Sequence, residues 1–226
     1  MMSGMINTVI FDLDGVIIDS EPIHFDLERQ MFDELNIHVS TNEHNSFVGM
    51  SSQNMWNLIV RNYDLPYPAQ NLVKKKFDLY MEYLDSQDSL KPIPGVYTLI
   101  RALFDSQFKL AIASSSHLDT IEKVIRKFNL SEFFMARISG TDLKHSKPDP
   151  EIFLMVAKRL DSKPQECLVI EDSENGVKAA KAASMKCIGY QNPNSGSQNL
   201  NQADIVIHSF EELNVTRIRS FKLNEI

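Results

Sequence analysis

The sequence predicts an α/β protein: a doubly wound parallel sheet whose core is interrupted by an inserted α-helical cap. Three observations predict it. Beyond residue 93, short apolar runs alternate with amphipathic helical stretches. A further apolar run, Val9-Ile10-Phe11, stands alone near the N-terminus. Between the two lie residues 20–92, which carry helical periodicity and no strand-like run.

Taken in order, Val9, Ile10 and Phe11 read as a strand covered on both faces. It ends in Asp12 and Asp14, and Gly15 lets the backbone turn sharply. Ile23, Leu27, Met31 and Leu35 then recur every fourth residue, and the pattern continues through MWNLIVRNY and LVKKKFDLYMEYL. Met50, Met55 and Trp56 are expected in the core of this insertion. The turn at Pro92 and Pro94-Gly95 closes it off, giving expected domains of 1–19 with 93–226 for the core and 20–92 for the cap.

In the second part, KLAIASSS (109–116) is an apolar run opening into serines. The helix after it, expected from about Ser116, places Ile121, Val124, Ile125 and Phe128 on one face. ARIS (136–139) is a short strand. Asp149-Pro150 reads as a helix start, with Asp as cap and Pro in the first turn. CLVIED (167–172) is a buried strand followed by the helix NGVKAAKAAS; KCIGY (186–190) and ADIVIHS (203–209) complete a Rossmann-like sheet.

Composition sets the class. With 226 residues, 43% hydrophobic and 23% charged, the chain has the makeup of a globular protein. A formal charge of −7 speaks against nucleic acid or an anionic membrane surface as partner. No apolar run reaches the roughly 20 residues that span a bilayer. The opening MMSGMINT has neither a basic start nor a long apolar core, so a cytoplasmic location is expected. Cys167 and Cys187 sit in strands, where inert buried thiols fit a reducing compartment. No feature signals an oligomer, and a monomer is expected.

In a parallel sheet the strand ends share one edge. That edge would gather Asp12 and Asp14, Ser114 and Ser115, Lys147 from HSKPDP, and Glu171-Asp172. Four carboxylates against one lysine leave three negative charges in a small volume. A hard divalent cation answers that excess, and with oxygen ligands Mg²⁺ is the natural choice. No His/Cys cluster points to zinc. Serine hydroxyls, a helix N-terminus and a lysine suit a phosphoryl group. Asp12 is then placed to attack phosphorus, while Asp14, crowded by like charge, carries the leaving-group proton. The bland alternatives fit less well. A calcium loop needs a ligand at Val16 and a Glu at Ile23, and a metal-binding DxD alone explains neither Lys147 nor Glu171-Asp172.

At these residues the sequence resembles the haloacid dehalogenase superfamily. It has strand-DLDGV, IASSS, a Lys before PDP, and strand-EDS, in that family's order. DSEPIH and the position of the insertion are similar to the subgroup of β-phosphoglucomutases and sugar-phosphate phosphatases. The resemblance implies Asp12 as nucleophile and Asp14 as acid/base. It implies Mg²⁺ on the Asp12 side chain, the Asp14 carbonyl and Asp172, with Glu171 assisting, and Ser114 and Lys147 on the phosphoryl group. It also puts His24, Gly49 and Lys76 on cap positions that meet substrate. Against the mutase pattern, Val48 replaces a basic residue, Ser52 the arginine that clamps the distal phosphate, and Leu118 an asparagine. The expected activity is hydrolysis of a small phosphorylated metabolite, a sugar phosphate by class. A mutase-type isomerase and a non-enzymatic phospho-accepting switch are the rival readings.

Overall fold

The computed structural model describes residues 5–47 and 50–221. β1 (Thr8–Phe11) leads into four helices, α1 (Glu21–Glu34), α2 (Thr41–Asn45), α3 (Ser52–Asn62) and α4 (Ala69–Ser86). There follow α5 (Val96–Asp105), β2 (Lys109–Ser114), α6 (Leu118–Lys127), β3 (Ala136–Ser139) and α7 (Glu151–Arg159). The chain continues as β4 (Cys167–Glu171), α8 (Glu174–Ala182), β5 (Lys186–Tyr190), β6 (Ile205–Ile207) and α9 (Val215–Arg219). The described residues divide into two compact units. One takes the chain up to Asp19, then Lys91–Pro193 and the stretch from Ser197 onward. The other takes Ser20–Leu90 with Asn194–Gly196.

The first unit is built on a six-stranded sheet in the order β3-β2-β1-β4-β5-β6, with every neighbouring pair parallel. This is the doubly wound α/β core that the strand–helix alternation predicts. Val9, Ile10 and Phe11 are fully buried because helices cover both faces, which is why β1 reads as an unbroken apolar run. Ile10, Ala111 and Val169 pack with Phe153 of α7 and Val177 of α8 in one core. The chain crosses from the β2/β3 side to the β4–β6 side beside β1, and ligands bind beyond the carboxyl ends at such a crossing.

Register then does the positioning. Phe11 lies opposite Ile112 of β2 and Ile170 of β4. Asp12, Glu171 and Ser114 therefore all fall within two residues of one line across the sheet, and the Asp12 N–H donates to the Ile170 carbonyl at 3.0 Å.

The second unit buries Met31 and Phe32 of α1 against Met55, Trp56 and Ile59 of α3 and Leu72 of α4. Met50 is 45% exposed and is no part of that core, contrary to expectation. Gly49 and Val48 lie outside the described residues.

Three boundaries differ from the sequence reading. α6 begins at Leu118, after His117, because Ser114–Ser116 are spent on a turn in which the Ser116 N–H donates to Ser114 Oγ at 3.0 Å. α7 begins at Glu151 with Pro150 as its cap residue, while Asp149 Oδ1 accepts the Glu151 N–H at 2.9 Å. β6 starts only at Ile205, since Asp204 turns aside to Lys181 and Lys186 and accepts the Cys187 N–H at 2.8 Å. Among the described residues no helix is long and apolar enough to cross a membrane. Cys167 and Cys187 are free and buried, and burial raises both thiols well above their usual range.

Candidate active site

β1 delivers Asp12 and β4 delivers Glu171 and Asp172 to one spot. One carboxylate oxygen of each lies within 4.8 Å of the others, and all three residues are buried. Lys147, from the loop before α7, spans two of them. Its ammonium donates to Asp12 Oδ1 at 2.7 Å, to Glu171 Oε1 at 2.6 Å and to the Ala113 carbonyl at 3.1 Å, and sits 5.1 Å from the centre of the Phe153 ring. Burial alone would lower that ammonium's pKa, but the charges of Asp12 and Glu171 outweigh it and raise the pKa above the ordinary lysine range.

Asp12 feels the opposite balance. Burial pushes its carboxyl up to about 7, because Lys147 offsets only part of the cost and Glu171 and Asp14 repel the charge. One lysine does not neutralise three buried carboxylates. Their three oxygens could hold a hard divalent cation, which would supply the missing charge.

Glu171 is held from its other side. Its Oε2 accepts both the N–H and the hydroxyl of Ser173 at 2.9 Å. Ser173 in turn caps α8, accepting the Gly176 N–H at 3.0 Å. A Cβ on Gly176 would fall 1.8 Å from Glu171 Oε1, so the first turn of α8 reaches this carboxylate only as glycine.

Asp14 is not a member of the three-acid group. Its Oδ2 accepts the Ser116 hydroxyl at 2.5 Å and lies 3.4 Å from Ser114 Oγ. Gly15, at φ 73°, and bonds returning to Leu13 from Ile17 and Ile18 make a tight turn that contains Asp14, whereas the Asp12 N–H still bonds across to β4. Asn192, 2% exposed, braces this turn by donating to the Gly15 carbonyl at 3.0 Å. Ser114 is buried beside Asp14, whereas Ser115 is exposed.

The remaining sequence candidates belong to the second unit. The His24 ring packs on Tyr80 with centroids 4.3 Å apart. Lys76 forms an ion pair with the buried Glu28 and donates to Ser52 Oγ at 3.3 Å. Glu28 also pairs with His44 Nε2 at 2.6 Å. Although burial opposes it, His44 and Lys76 together hold the Glu28 carboxyl below its usual range. Sequence reasoning passed over Glu28; the available signal was one carboxylate set among Ile23, Leu27, Met31 and Phe32 on the apolar stripe of α1. Ser116, Ser173 and Gly176 were also missed as site residues. Ser173 has a readable signature as a helix cap directly after Glu171-Asp172.

A buried carboxylate is thus fixed at the end of β1 with the Lys147 ammonium on one oxygen, and a second aspartate, two residues on, is held by the Ser116 hydroxyl. The chain belongs to the haloacid dehalogenase-like hydrolases, whose family model matches residues 9–190. Among its relatives is a phosphorylated carbohydrates phosphatase of Thermotoga maritima, 29% identical over 80% of this chain and 82% of that one. Hexitol phosphatase B of Escherichia coli is 30% identical over 90% of this chain and 92% of its own length. The crystal structure of β-phosphoglucomutase from Clostridium difficile superposes with a TM-score of 0.77 at 29% identity, covering 95% of this chain and 96% of that one.

Proposed function

We propose that this enzyme is a Mg²⁺-dependent phosphatase that hydrolyses a small phosphorylated metabolite, a sugar phosphate by class, through a phosphorylated Asp12. The observation that carries the reading is Lys147 spanning Asp12 and Glu171 inside a buried acidic group. Relatives named for phosphorylated carbohydrates and hexitols support the substrate class.

In the first step an Asp12 oxygen bonds to phosphorus and the ester P–O bond breaks. The departing oxygen takes its proton from Asp14, whose carboxyl the Ser116 hydroxyl orients. In the second step Asp14 accepts a proton from a water, the water oxygen bonds to phosphorus, and the Asp12–phosphorus linkage breaks to release inorganic phosphate. Lys147, Ser114 and Ser115 supply donors to the phosphoryl oxygens. Mg²⁺ would be held by Asp12, the Asp14 carbonyl, Asp172 and Glu171, and it would supply positive charge to keep Asp12 ionised and to offset the phosphoryl charge. His24, Gly49 and Lys76 are the proposed cap contacts to the rest of the substrate.

Phosphate release across a panel of sugar and other metabolite phosphates, with Mg²⁺ and with chelator, tests the proposal. Metal-dependent release from sugar phosphates supports it; no release from any member of the panel overturns it. Supplying β-glucose 1-phosphate with a bisphosphate primer separates hydrolysis from isomerisation, since a mutase would accumulate the 6-phosphate instead of free phosphate.

A further inference from the structure

β3 forms one end of the sheet, and among the described residues it pairs only with β2. The Met135 N–H donates to the Leu110 carbonyl at 2.8 Å. Strand alternation then turns the N–H and C=O of Arg137 toward β2, and those of Ala136 and Ile138 toward the open edge. Edge strands are commonly blunted by proline, a bulge or an inward charge. Ala136-Arg137-Ile138-Ser139 has no proline, and its one charge is folded back: the Arg137 guanidinium pairs with Glu122 at 3.3 Å.

Alongside this edge, between α6 and α7, runs a cavity of about 680 Å³. Its apolar lining includes Leu118, Met135 and Met155, which are 44%, 65% and 40% exposed. Large apolar side chains left in water beside an open strand mark an interaction surface, and methionines adapt to varied partners. The rim is cationic. Arg137, Lys158 and Arg159 face the single carboxylate of Glu122, a local surplus of two positive charges on a chain whose formal charge is −7.

We propose that this edge is a docking site for an extended acidic segment of a partner protein, which adds to β3 as a further strand. Its backbone pairs with Ala136 and Ile138. The side chains it turns to the α6 face are apolar and seat on Leu118 and Met135, and the acidic ones between them, turned to the opposite face, meet Lys158 and Arg159 of α7. A second copy of this chain is the poorer occupant, because its own groove would bring the same surplus of positive charge against this one. The site lies at the sheet edge, with β2 between it and the strand that bears Asp12, so it goes beyond the phosphatase reading and does not depend on it.

The test titrates the full-length protein into a fluorescein-labelled, end-blocked peptide of alternating leucine and glutamate, reading anisotropy and amide hydrogen exchange. The expected result is saturable binding that slows exchange at Ala136 and Ile138. Binding should weaken at least about tenfold in Lys158→Glu/Arg159→Glu and, independently of α7, in Met135→Glu. It should weaken similarly when alternate peptide residues are N-methylated and cannot pair as a strand. The proposal is overturned by no binding of the peptide, by equal binding to the charge-reversed variants, or by equal binding of the N-methylated peptide. Sodium dodecanoate competing for the groove without slowing either amide would assign it to small amphipathic anions, and that also overturns the strand.

Discussion

Gly176 and Glu171 touch so closely that a single methyl group on the glycine would come 1.8 Å from the carboxylate oxygen that holds Lys147. Gly176→Ala is therefore expected to push Glu171 off Lys147 and to lower kcat at least about tenfold. The forced repacking should cost about 1–3 kcal/mol of stability. Steady-state kinetics with a denaturant midpoint checks both, and wild-type values for the pair would mean that α8 shifts freely to make room.

The Asp12 carboxyl is expected to make stability depend on pH, and the proposed Mg²⁺ site to make that dependence metal-sensitive. Its folded-state pKa of about 7 lies above the ordinary aspartate value of about 3.9. Between those values the folded protein binds more protons at Asp12 than the unfolded chain does. The Asp12 contribution is thus present at low pH and lost as pH rises through about 7 in the absence of metal. Mg²⁺ binding should restore it, so the rise in Tm caused by Mg²⁺ is expected to be larger at pH 8 than at pH 5. Thermal melts with Mg²⁺ and with EDTA measure this; an Mg²⁺ effect independent of pH would show that Asp12 does not take part.

Glu28 carries a comparable burden in the helical unit. It is 7% exposed and balances Lys76, whose side chain is 11% exposed. Removing one partner of a buried pair strands the other, at about 3–5 kcal/mol. Glu28→Gln is expected to cost close to that amount, and the double change Glu28→Gln/Lys76→Met to recover a large part of it. Chemical denaturation of the four proteins of this cycle provides the measurement, and strictly additive losses would show that the two side chains do not couple.

What could be read from the chain, and what could not, follows from sequence distance. Strand ends were legible because an apolar run that stops at a carboxylate announces both the strand and its polar end, as at Phe11-Asp12 and Ile170-Glu171. Parallel pairing then brings those ends together with no further information. Side-chain direction was not legible. DLDGV does not tell where either aspartate points; Asp12 turns to Lys147 and Asp14 to Ser116, because Asp12 still belongs to the strand ladder while Asp14 sits inside the turn that begins at Leu13. Glu28 and Lys76 lie 48 positions apart, and only helix packing pairs them. Asp204 reads as part of a strand until two lysines and the Cys187 N–H claim it.

Asp14 and Ser116 supply the sharpest test of mechanism. The Ser116 hydroxyl donates to Asp14 Oδ2 at 2.5 Å, which fixes the rotation of the proposed proton carrier. A leaving group of high pKa needs that proton, whereas an activated aryl oxide departs without it. Asp14→Asn is therefore expected to reduce kcat on an alkyl phosphate by about 10²–10⁴, with a distinctly smaller loss in the aryl-phosphate first step, seen as a burst when phosphoenzyme breakdown is slow. Ser116→Ala keeps the carboxyl but frees its rotation, so the loss should be about tenfold on the alkyl substrate and should follow the same leaving-group trend. Rapid-quench measurement of both variants on paired alkyl and aryl phosphates decides the matter. Equal losses in the first step on the two substrates would remove Asp14 from leaving-group protonation and leave Ser116 a role in the fold of the turn alone.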